Sequence, residues 1–165
     1  MDMSGSMHGQ LLQIAQALFV SLARMAVEKK RKIIFIPFAS YAPASHYVVS
    51  SETLVRTLTT KYHVGGGTDF KQPLDRAKDC IADETVYKNA DVILITDGIS
   101  FLDQDWIDRY ILDKKTLGFR LIGLNVRGSG MWQDNQLPMF DAVAHTEDGS
   151  LSSLDWMHNL ADSLV

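Results

Sequence analysis

The chain has 165 residues, which suits one domain and allows a sizeable core. Apolar residues make up 46% and charged residues 22%, a balance that excludes disorder over most of the length. The formal net charge of −4 argues against a nucleic-acid partner, which asks for a basic surface.

Leu11, Ile14, Ala15, Leu18, Phe19, Leu22, Met25 and Ala26 recur at three- and four-residue intervals and predict a helix over 10–28. The basic run Lys29-Lys30-Arg31-Lys32 follows at the end of that helix, where cations suit its dipole, and reads as a solvated helix end. Residues 33–38 are continuously apolar, and β-branched or aromatic types predict a buried strand, with Pro37 near its end because proline gives no ladder donor. A short strand at 46–50 and a helix at 51–60 come next, then the tight loop Gly65-Gly66-Gly67. The stretch 69–82 places Phe70, Leu74, Ala77 and Ile81 on one face of a helix, with Pro73 in its first turn. Cys80 lies on that apolar stripe, and a lone thiol there reads as buried and reduced.

Residues 92–95 predict a second buried strand, 103–117 a helix, 119–126 a strand, 142–146 a short strand and 152–163 a closing helix. Residues 127–140 are the one long irregular stretch. Helices alternating with apolar strands imply an α/β domain, a mostly parallel sheet covered on both faces, in a single unit over 1–165. No window reads as apolar for the length of a bilayer and no leader is visible, so a cytoplasmic protein without a membrane span is expected.

Chemistry concentrates in three loops: Asp2-Met3-Ser4-Gly5-Ser6, Gly65-Gly66-Gly67-Thr68-Asp69 and Thr96-Asp97-Gly98. Loops at the carboxyl ends of strands in an open α/β sheet meet in one crevice. Asp2, Ser4 and Ser6 alternate, so one extended turn aims all three side chains the same way. With Thr68 and Asp97 they form an all-oxygen set suited to Mg²⁺, or to Mn²⁺ or Ca²⁺. Hydroxyls bring no formal charge, so a cation held this way stays electron-poor and favours a carboxylate from outside.

These motifs resemble the von Willebrand factor A-type family and its metal-ion-dependent adhesion site. Asp2-Met3-Ser4-Gly5-Ser6 matches its DxSxS motif, Thr68 its threonine and Thr96-Asp97-Gly98 its second aspartate. The resemblance implies a Rossmann-like fold over essentially the whole chain. It also implies a metal-dependent, non-enzymatic interaction module that grips an exposed Asp or Glu of a protein partner. In overall look the chain is similar to bacterial intracellular members, the CoxE-like proteins and those paired with MoxR-type AAA+ ATPases, so an AAA+ adaptor role is implied. In the family an apolar central strand precedes DxSxS, whereas here only Met1 precedes Asp2. The domain therefore reads as truncated at its N-terminus relative to the family. The expected consequence is that strands 33–38 and 92–96 close up, or that a swapped or strand-augmented dimer fills the gap.

Two other readings compete. Ser6, Asp97 and His145 run in the order of a serine hydrolase, but Gly5-Ser6-Met7-His8-Gly9 does not form the G-x-S-x-G elbow. A metal-independent module would instead bind through an apolar loop at Met131 and Trp132. The opposing reading tucks Trp132 back onto the domain.

Overall fold

The computed structural model describes residues 1–40, 47–49, 65–83, 87, 90–98, 100–128 and 132–146. A 3-10 turn, Gly5–Met7, leads into helix α1 (Gln10–Glu28), then strands β1 (Ile33–Phe35) and β2 (Tyr47–Val49). Helix α2 (Lys71–Asp83), strand β3 (Asp91–Thr96), helix α3 (Gln104–Leu117) and strand β4 (Arg120–Asn125) follow. A 3-10 turn at Leu137–Met139 and strand β5 (Ala142–His145) complete the described elements. The helices expected at 51–60 and 152–163 lie outside the described residues.

Strands β3, β4 and β5 form a parallel sheet, with Ile93 opposite Ile122 and Leu124 opposite Ala144. Side chains alternate across it, as a pleated strand requires. Ile95, Ile122, Leu124 and Val126 pack with Ile14, Leu18, Phe19 and Leu22 of α1. Leu94 and Leu121 join the opposite core, with Leu74 of α2 and Trp106, Ile107 and Tyr110 of α3. The result is the expected sheet between helices. Burying each such side chain contributes about 1.5–3 kcal/mol relative to leaving it in water.

Strands β1 and β2 pair antiparallel, so this part of the sheet departs from the parallel pattern. Strand β1 is also shorter than the apolar run 33–38. Pro37 has no N–H to offer a ladder, and among the described residues the next bridge is at Phe38, an isolated parallel one to Asp2.

Residues 1–3 lie between β1 and β3. The Met1 amino group donates to Ile36 O at 2.9 Å. Phe38 N–H donates to Met1 O at 3.1 Å, Met3 N–H to Phe38 O at 2.7 Å, and Asp2 N–H to Ile95 O at 2.8 Å. The expectation that the two strands close up on each other is not met. This tripeptide holds them apart at one end, and beyond it a cavity of about 230 Å³ remains, lined by Phe35, Ile33, Val92 and Leu94 among others. Burial drives the Met1 amine down to about 5, with the nearby Asp2 carboxylate opposing the shift.

Helix α1 corrects the expectation that no segment is apolar enough to span a membrane. It has 19 residues and a mean hydropathy of 1.3 over its best window, so by length and composition it qualifies as a membrane-crossing helix. At 1.5 Å per residue its length approaches the roughly 30 Å hydrocarbon core. Gln10, Gln13, Gln16, Ser21 and Arg24 interrupt the apolar run, but its leucines, alanines, valines, Ile14 and Phe19 outweigh them in the average. In this structure its Ile14, Ala15, Leu18, Phe19, Leu22 and Ala23 are buried.

Candidate metal site

Asp2 and Thr96 bring the first and third motifs together. Both are fully buried, and the Thr96 hydroxyl donates to Asp2 Oδ2 at 2.6 Å. Asp2 Oδ1 accepts from Ser4 N–H at 2.8 Å, which turns the backbone sharply after the aspartate. Ser4 Oγ and Ser6 Oγ then lie 3.0 Å apart, so the alternating side chains do gather on one side of the turn. Burial raises the Asp2 pKa, and the neighbouring Asp97 charge raises it further, while the bonds from Thr96 and Ser4 pull it down.

The glycine loop meets this turn through its backbone. Gly5 N–H donates to Gly66 O at 3.0 Å. Gly66 has φ +99, and a Cβ there would lie 2.9 Å from Ser40 Oγ, so conformation and space both select glycine. Asp69 N–H donates to Ala39 O at 3.0 Å, and its Oδ1 accepts from Lys71 N–H at 2.9 Å, so Asp69 orders the start of α2. Thr68 is half-buried, and its carbonyl accepts from Ser100 Oγ at 3.3 Å. That bond joins the glycine loop to the segment after β3.

Asp97 is fully buried. Its Oδ2 accepts from Arg127 Nη2 at 3.1 Å, while its Oδ1 has no hydrogen-bond partner. Buried polar atoms in native proteins are nearly always satisfied, so an orphaned carboxylate oxygen points to a missing partner. A divalent cation suits that role: Asp97 is near enough to Asp2 for its charge to raise the Asp2 pKa, and carboxylate oxygens are the hard donors that Mg²⁺ prefers. Among the described residues no cluster of three or more His, Cys, Asp or Glu side chains forms. The candidate set relies on hydroxyls instead.

The hydrolase constellation does not assemble. Ser6 Oγ is bonded to Ser4 and Asp97 to Arg127, and among the described residues neither bonds His145, which is exposed on β5. Trp132 turns inward, 4.5 Å from Phe140 and 6.1 Å from Phe70 between ring centroids, while Met131 lies outside the described residues. Sequence reasoning missed two residues here. Thr96 stood inside a motif without a role of its own, and Arg127 opened the irregular stretch with nothing to tie it to Asp97.

None of the protein-family models matches the chain. It is 28% identical over 130 residues to the uncharacterized protein MJ0811 of Methanocaldococcus jannaschii, covering 76% of this chain and 29% of that protein. The chain thus spans less than a third of the length of this curated relative. Among solved structures, BatB of Bacteroides thetaiotaomicron superposes with a TM-score of 0.72 at 16% identity, covering 99% of this chain and 95% of that one. A von Willebrand factor type A protein from Catenulispora acidiphila gives 0.71 at 18% identity, covering 99% of this chain and 41% of that one. An aerotolerance-related membrane protein from Bacteroides fragilis gives 0.65 at 15% identity, covering 98% and 96%.

The apolar length of α1 corrects the expectation that no segment could span a membrane, and the Bacteroides fragilis neighbour is described as a membrane protein, which runs against the expectation of a cytoplasmic chain. The superpositions, the parallel sheet and its flanking helices together show that the chain has a von Willebrand factor A-like fold.

Proposed function

We propose that Asp2, Ser4, Ser6, Thr68 and Asp97 hold one divalent cation, Mg²⁺ or a close substitute, and that the loaded site binds an Asp or Glu carboxylate of a protein partner. The observation that carries this reading is Asp97 Oδ1, buried and unpartnered beside the second buried carboxylate, Asp2. The cation supplies positive charge for an outside carboxylate, while the protein residues position it and bury their own carboxylates away from water. An interaction module with no bond broken fits this arrangement, and an adaptor for an AAA+ ATPase is its narrower form.

Calorimetry with Mg²⁺ and Mn²⁺ tests the site directly. Wild type should bind, and Asp97→Asn should bind at least about tenfold more weakly, since one anionic ligand is lost. A pulldown repeated with chelator tests the use. Loss of the partner on chelation supports the reading. Binding that survives chelation but fails in Phe101→Ser would instead assign the contact to an apolar surface, since Phe101 is 76% exposed. Labelling of Ser6 by a fluorophosphonate would favour hydrolysis.

A further inference from the structure

Arg127 lies just beyond β4, at the carboxyl edge of the sheet. Its backbone N–H donates to Asn125 Oδ1 at 2.9 Å, which fixes the turn that starts its loop. Its Nη2 reaches Asp97 Oδ2 at 3.1 Å and Ser6 O at 3.3 Å, so one guanidinium nitrogen bridges the first and third motifs. The Arg127 side chain is 39% exposed against 0% for Asp97: one side is wet and the other faces the buried carboxylate. A guanidinium stays charged at any physiological pH.

Charge accounting gives this contact a consequence. Asp2 and Asp97 bring two formal negative charges, both buried. Arg127 offsets one of them, and a divalent cation then leaves the site with a net positive charge. Without Arg127 the loaded site would be neutral.

We infer that Arg127 sets the charge of the loaded site, opposing the cation while creating the demand for an outside carboxylate. This rests on the metal reading above and assigns a specificity-determining residue to it. Arg127 therefore acts on cation and carboxylate in opposite directions. A residue that merely clamped the loops would weaken both.

The test uses the full chain with Mn²⁺ as the metal probe and acetate as the carboxylate probe. Arg127→Gln should bind Mn²⁺ about tenfold more tightly than wild type, because a like charge has been removed from its side. Acetate should tighten Mn²⁺ binding to wild type and have little effect in Arg127→Gln. Arg127→Lys, which keeps the charge, should follow wild type in both respects. Equal or weaker Mn²⁺ binding by Arg127→Gln, or an acetate effect that persists in it, would overturn the inference while leaving the metal site standing. Folded wild type and Arg127→Gln that both fail to bind Mn²⁺ would remove the metal reading and this inference together.

Discussion

Thr96 Oγ1 and Asp2 Oδ2 lie 2.6 Å apart although 94 residues separate them in the chain. The same hydroxyl accepts from Gly98 N–H at 3.1 Å, so Thr96 organises both the first and the third motif. Thr96→Val keeps the shape and removes the hydroxyl. It should cost about 1–3 kcal/mol, the penalty for a buried polar group left unpaired. Thr96→Ser should recover most of it, and urea unfolding of the two variants checks the difference.

Cation binding should appear in stability as well as in titration. A ligand that binds only the folded state at 100 times its Kd adds about 2.7 kcal/mol. Saturating Mg²⁺ should therefore raise the Tm of wild type, and Asp97→Asn should show little of that rise. Calorimetric scans with Mg²⁺ and with chelator provide the comparison.

Lys114 is buried on α3, and its ammonium donates to Met139 O at 2.8 Å and to Asp141 Oδ2 at 2.7 Å. The same Asp141 oxygen accepts from Leu121 N–H at 2.7 Å. Lys114→Met fills similar space without these bonds. Because Asp141 is partly open to water, the loss should be about 1–3 kcal/mol, below that of a fully buried pair. Chemical denaturation measures it.

Gly123 lies under an aromatic pair. An added Cβ would fall 2.9 Å from Trp132 Cζ2 and 3.0 Å from Phe140 Cε1. Gly123→Ala should therefore push the two rings outward and destabilise by about 1–3 kcal/mol, as overpacking does. Trp132 fluorescence should shift to the red as the indole gains water, whereas an unchanged spectrum would argue against the displacement.

Asp103 predicts part of the acid limb. Its hydrogen bond from Lys71, followed by the bond from Trp106 N–H, holds its pKa below the ordinary 3.8. A depressed carboxylate contributes stability above its unfolded pKa and loses it as pH falls through the folded value. Asp103→Asn keeps a capping oxygen for α3 but loses the ion pair. Its stability should fall less steeply between about pH 5 and about pH 2, which urea midpoints across that range would show.

Much of the fold is legible in the sequence because local periodicity carries it. The helix read over 10–28 is α1, and the strands around Ile93 and Leu121 follow from apolar runs too short for helices. Strand β1 ends early because Pro37 interrupts pairing, which the sequence shows only as a tolerance. The three motifs stand out because hydroxyls, carboxylates and glycines are grouped at turns. Arg127 does not, since its link to Asp97 crosses 30 residues and leaves no local pattern. The apolar length of α1 is masked in the sequence by Gln10, Gln13, Gln16, Ser21 and Arg24, which break the run while the mean hydropathy stays high.

The placement of residues 1–3 between β1 and β3 gives the sheet a mechanical property. Asp2 hangs from Ile95 through its own N–H, while Met3 on its far side hangs from Phe38. The backbone that carries the first motif is therefore tied to both flanking segments at once, so a substitution that widened the cavity beyond Met1 would strain the same bonds that seat Asp2.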